Sequence, residues 1–160
     1  MRKKIFLLLS IILIAAGCQS QSPATTSGQQ PAYNYSHHLQ IGNHTLNVEI
    51  AKTSQAMEQG LSDRNSMADD SGMLFDFGDT KTVPDFWMKD MKFNLDFVWI
   101  ADNRIVGVTS DIPKPDANCQ SADCLPTYSP PAPVNWVLEV NSGWAEKNNI
   151  KVGDVAKLSD

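Results

Sequence analysis

From Leu39 to Ile50 the chain reads LQIGNHTLNVEI, with Leu46, Val48 and Ile50 alternating with polar residues and Gly42-Asn43 in the middle. Alternation places every second side chain on one face, and a glycine-led two-residue turn between such runs predicts a β-hairpin of the type II′ kind. The period then changes. In TSQAMEQGL, Thr53 to Leu61, Met57 and Leu61 stand four apart with Ala56 beside them. This predicts a short amphipathic helix with Thr53 or Ser54 as N-cap and Gly60 weakening its end.

Apolar residues are densest from Gly72 to Ile100, where three strands are expected: Met73 to Phe77, Asp85 to Asp90 and Phe93 to Ile100. A two-residue turn at Met91-Lys92 would pair the last two and put Trp87, Lys89 and Asp96 on one face, with Lys89 diagonal to Asp96 and within ion-pair reach. A slip of one residue would undo that arrangement. FNLDFVWI is apolar on both faces, as in a central strand, so Asp96 needs a partner, with Lys89 or Arg64 as candidates.

A turn at Ala101 to Arg104 leads into a strand from Ile105 to Thr109. Asp111 to Pro133 is a long Pro-rich stretch without periodicity, and loops of that length are often functional. In Val134 to Val140, Val134, Trp136, Leu138 and Val140 share one face, and Asn135, Val137 and Glu139 the other. Glu139 then faces solvent or the same pocket as Asp96. Ser142 is placed to cap a short helix, and a Gly153-Asp154 turn separates the last apolar runs. The pattern predicts a mainly β (α+β) domain over residues 36–160 with one or two short helices.

The first residues change where the protein is expected to reside. Arg2, Lys3 and Lys4 precede an apolar run from Ile5 through Ile14, and Ala15-Ala16-Gly17 precedes Cys18. The run is too short for a membrane span, which needs about twenty residues, and reads as a lipoprotein signal peptide over residues 1–17. A cysteine directly after Ala-Ala-Gly resembles the bacterial lipobox, in which that cysteine is acylated, palmitate being one expected chain. Cys18 would then anchor the protein to a membrane of the cell envelope. Gln19 stands where many inner-membrane lipoproteins carry an aspartate, which points to a periplasmic domain on the outer membrane. Residues 18–35 are rich in Ser, Gln, Thr and Pro and are expected to serve as a flexible tether.

Removing the leader leaves ten Lys+Arg against eighteen Asp+Glu, a net charge of −8. Such acidity argues against nucleic acid. In an exported chain Cys119 and Cys124 are expected to form a disulfide. A zinc site would need two further ligands, and His37, His38 and His44 lie far upstream. No cofactor or metal is expected.

Gly72-Met73-Leu74-Phe75, Phe86-Trp87-Met88-Lys89, Leu95-Asp96, Tyr128-Ser129-Pro130-Pro131-Ala132 and Val137-Leu138-Glu139-Val140, ending at Gly153-Asp154, resemble the domain-of-unknown-function family 192. The resemblance spans Leu46 to Leu158 and implies a compact β-barrel-like or strongly curved antiparallel sheet. It implies no activity. The chain departs from the family pattern at Ser62 and at Asp90-Met91, and the insertion around Cys119 is particular to it.

Three functions compete. A binding module would use Arg64, Trp87, Lys89, Asp96, Tyr128, Ser129 and Glu139 as candidate ligand-binding residues. Its partner would be an anionic or zwitterionic small ligand or an envelope protein. A hydrolase would use Ser129 or Tyr128 with Lys89 as base, although no Gly-x-Ser-x-Gly elbow or His-Glu-x-x-His motif is present and no catalytic residue is assigned. A purely structural envelope protein would need only stability and an anchor.

Overall fold

The computed structural model describes residues 33, 35–119 and 122–160, so the expected signal peptide, the expected lipidation site Cys18 and nearly all of the expected tether lie outside the described residues. The alternating start folds as a hairpin: β1 (His37–Ile41) and β2 (His44–Ala51) pair antiparallel around Gly42, whose φ of +59° a side chain would resist. Thr53 caps α1 (Ser54–Gln59), its Oγ1 accepting from Ala56 N at 3.1 Å. Then follow β3 (Ser71–Asp76), β4 (Phe86–Trp87), β5 (Leu95–Ala101), β6 (Arg104–Ile112), a 3₁₀ turn at Ala122–Cys124 and β7 (Thr127–Tyr128). The chain closes with β8 (Trp136–Asn141), α2 (Trp144–Lys147) and β9 (Ala156–Ser159).

Seven strands form one strongly curved sheet in the order β6-β5-β8-β3-β2-β1-β9, a half-barrel rather than a closed barrel. The edge strands meet at one corner only, where Arg104 and Val155 form a single bridge and Ala156 N donates to Asn103 O at 2.9 Å. One pairing departs from the expected antiparallel sheet: β2 and β3 run parallel, because α1 and the turn after it carry the chain back between them.

The sheet is covered on both faces. On one, Phe97 and Trp99 of β5 pack with Phe75, Phe86, Met88 and Leu61. Phe86 sits edge-on to Phe75, Phe97 and Trp99, with ring centres 4.8, 5.4 and 5.8 Å away, each such pair contributing about 1 kcal/mol beyond its buried area. On the other, Val98, Ile100, Leu138 and Val140 pack with Leu39, Leu46 and Trp144. β5 and β8 are therefore buried from both sides, as the doubly apolar FNLDFVWI predicts.

The expected hairpin of β4 with β5 does not form. β4 pairs with β7 in a separate two-stranded sheet, Phe86 opposite Tyr128. Met88 to Met91 turns instead, with Met91 N donating to Met88 O at 3.2 Å and Asp90 at φ +57°. Asp63 N donates to Asp90 O at 3.0 Å, which pins this turn to the one after α1. The long loop after β6 carries the Cys119–Cys124 disulfide, Cα to Cα 5.7 Å. It returns over β6 at Gly107, where a Cβ would lie 2.8 Å from Pro131 Cγ and 3.1 Å from Trp99 Cδ1. Any side chain there would push the loop off the sheet.

Asp96 is fully buried, and its partners are backbone amides rather than Lys89 or Arg64. Oδ1 accepts from Asp111 N at 2.9 Å and Gly143 N at 3.1 Å, and Oδ2 accepts from Ala145 N at 3.0 Å. A shift in the β5–β6 register between Leu95 and Phe97 leaves the Asp111 amide free for this role. Asp96 also replaces Ser142 as the cap of α2, whose N-cap position is Gly143 with no side-chain cap bond; Ser142 Oγ donates to Asp111 Oδ1 at 2.8 Å instead. Asp96→Ala should therefore destabilise the domain by about 3 kcal/mol in urea denaturation, against less than about 1 kcal/mol for Ser142→Ala. Equal losses would contradict this assignment.

Candidate functional site

Strand register sets the site. Glu49 of β2 lies opposite Met73 of β3, Met73 opposite Glu139 of β8, Glu139 opposite Phe97 of β5 and Phe97 opposite Thr109 of β6. Residues directly opposite one another project to the same face, so this row crosses five strands on the face of the aromatic core. Thr109 is used by the core, accepting from Trp99 Nε1 at 2.8 Å. The row leaves two acids, Glu49 and Glu139, separated by one strand.

Arg64, in the turn after α1, engages the first of them. Its two guanidinium nitrogens donate to the two Glu49 carboxylate oxygens, Nη2 to Oε2 at 2.9 Å, and Tyr33 stacks on the guanidinium with its ring centre 3.9 Å from Cζ. Both partners are mostly buried, and the bidentate geometry is the strong form of this pair. Nearby, burial raises the pKa of the Tyr35 hydroxyl, which lies beside Ser71 without reaching hydrogen-bond geometry.

Glu139 is 5% exposed, and among the described residues its carboxyl has no hydrogen bond or ion pair. Burial pushes its pKa up to about 8, against the pull of the Arg64 charge. At neutral pH the group is therefore mainly a neutral acid. The folded state holds a proton that the unfolded chain gives up from about pH 4.5 upward, so Glu139 costs the fold stability as pH rises from there toward 8.

Glu139 faces a cavity of about 160 Å³. Phe75, Phe77 and Phe86 line it, and Trp87 and Lys89 line it from β4 and the turn after it. Gly60 is needed on the opposite side: at φ +48° it ends α1, and a Cβ there would come within 3.3 Å of Phe75 Cζ. Trp87 is 43% exposed although most large apolar side chains here are buried. The exposed Lys89 ammonium lies 5.8 Å from the Trp87 ring centre and has no ion pair among the described residues.

Of the residues singled out from the sequence, Trp87, Lys89 and Glu139 thus line one cavity, with the Arg64 charge acting on Glu139 from the side. Asp96 does not join them. It projects from β5 to the opposite face, so Asp96 and Glu139 share no pocket and Asp96 does not meet Lys89. Tyr128 packs against Phe97, ring centres 5.9 Å apart, and the Ser129 hydroxyl donates to Asp85 Oδ1; neither lines the cavity.

Glu49 was not among the candidate site residues read from the sequence, and Phe86 entered only as part of the family motif. A charged residue within the alternation of β2 marks Glu49, but only a sheet covered on both faces turns its polar phase inward. Among the described residues no group of three or more His, Cys, Asp and Glu is placed to hold a metal ion. A carboxyl titrating near neutrality in a partly apolar cavity can accept a cation, exchange hydrogen bonds with a neutral polar group, or move a proton.

A search of curated proteins finds no match. Among solved structures, the chain is similar to a crystal structure of a protein of unknown function from Novosphingobium aromaticivorans DSM 12444, with 26% identity and a TM-score of 0.66, covering 75% of this chain and 83% of that one. It is also similar to a Sinorhizobium meliloti 1021 protein named a "putative transcription regulator", with 29% identity and a TM-score of 0.67, covering 79% of this chain and 96% of that one. The model of DUF192, described as an uncharacterised ACR, matches residues 37–158, nearly the whole sheet from β1 to β9. The chain belongs to this domain-of-unknown-function family.

Proposed function

We propose that this chain is a small-ligand-binding module of the bacterial cell envelope, with the cavity at Glu139 as the ligand seat. The observation that carries the reading is a buried carboxyl that has no partner among the described residues and opens onto a partly apolar cavity, lined also by an exposed tryptophan and by an ammonium without an ion pair among those residues. A fold that needed Glu139 only for stability would supply it with a donor. Lys89 offers a contact for the anionic end of a zwitterionic ligand, and Trp87 a flat apolar face. A hydrolase built on Ser129 and Lys89 draws no support from this geometry, since Ser129 is engaged by Asp85 and lies off the cavity lining.

The envelope location rests on the leader, on Cys18 after Ala-Ala-Gly and on a disulfide of the kind that exported proteins keep. It agrees with the net negative charge of the chain, which disfavours nucleic acid as a partner.

Lys89→Met should leave thermal stability within about 2 °C of wild type, because it removes a charge with no ion pair among the described residues. The same variant should lose a small molecule that co-purifies with the wild-type domain and is detected by native mass spectrometry. Retention of that molecule, or parallel loss of stability, would contradict the reading. Cys18→Ser should move the protein from the membrane to the soluble fraction of the expressing cell; continued membrane retention would refute the anchor.

A further inference from the structure

Resting on the reading of the cavity as a ligand seat, we infer that its occupant presents an organic ammonium group to Glu139, on a short apolar stem held between Phe75 and Phe86. Three observations converge on that chemistry. First, the acids of the row outnumber its bases: Arg64 is bound by Glu49 through both nitrogens, so Glu139 has no counter-charge of its own waiting for it when it ionises. A cation at the cavity floor would complete two acid–base pairs.

Second, the walls suit a cation. Phe75, Phe77, Phe86 and Trp87 line the cavity, and the π-faces of such rings attract ammonium groups. Glu58 and Asp85 line it as well, so its acids outnumber the single Lys89. Third, size matches. At about 160 Å³ the cavity resembles in volume an engineered protein cavity of about 150 Å³ that accepts benzene, so it has room for an alkylammonium.

An ammonium N–H donates to a Glu139 carboxylate oxygen, and the carboxyl proton leaves to solvent as the cation enters. Binding and deprotonation are then coupled. The charged and titratable groups facing Glu139 are Arg64 and Glu49 from one side, Tyr33 and Tyr35 beyond them, and Glu58, Asp85 and Lys89 around the cavity; Met73 and Phe97, its neighbours on β3 and β5, carry no charge. A zwitterion with its ammonium inward would leave its anionic end toward Lys89.

The test is titration of the mature wild-type protein with n-butylammonium, n-butanol and butyrate, followed by NMR shifts of cavity residues between pH 6 and 8.5. In that range the amine stays charged, since alkyl ammonium groups titrate near about 10.4. We expect n-butylammonium to bind at least about tenfold more tightly than n-butanol at pH 8, and its affinity to rise up to about tenfold per pH unit from pH 6 toward 8. In Glu139→Gln that rise should vanish. If n-butanol or butyrate binds as tightly as the amine, or if amine affinity is flat with pH, the ammonium assignment is overturned while the cavity remains a seat. If none of the three shifts a cavity resonance, the ligand-seat reading fails as well.

Discussion

Burial of β5 and β8 from both sides is the constraint from which the rest of this structure follows. A central strand with two covered faces has no solvent side on which to place an acid, so any carboxylate it carries must find donors or give up its charge. β5 carries Asp96 and β8 carries Glu139, and the alternation of side chains sends them to opposite cores. The two acids meet the same constraint in opposite ways.

Asp96 is matched by three backbone amides drawn from the end of β6 and the start of α2, and so acts as a clasp between the sheet and the helix that covers it. Glu139 has no such match. Arg64, the one cation among the described residues whose charge acts on it, is held by Glu49 in a bidentate pair on the same face. An acid placed this way lowers stability as pH rises from about 4.5 toward 8, and unpaired buried groups of that kind cluster where proteins bind or react. On the proposed reading the chemistry of this chain collects at the second acid, and the first belongs to the fold.

Strand content was legible because it depends on local alternation. LNVEI and VNWVLEV read as strands, and Thr53 followed by Met57 and Leu61 read as a capped helix, from spacing alone. The error at Met91-Lys92 had a different origin. Two apolar runs around a short polar link look like a hairpin, yet Asp90 takes a left-handed conformation and the turn hydrogen-bonds to Asp63, 27 residues earlier, which no local pattern records. The same limit applied to the site. Lys89 and Asp96 were expected as a pair because a two-residue turn at Met91-Lys92 would set them diagonally on one face, whereas partnership was decided by a parallel β2–β3 pairing and a register row from Glu49 to Glu139. Glu139 was visible as an acid in a strand, but its lack of a partner is a property of tertiary packing.

The account stands on the protonation state of Glu139. Its side-chain carboxyl carbon can be followed by ¹³C NMR as the folded domain is titrated from pH 5 to pH 10. A midpoint near 8 is predicted, with the resonance of a neutral acid at pH 6.5. A midpoint in the ordinary glutamate range, about 4 to 5, would show a carboxylate already solvated or paired, and would contradict the account.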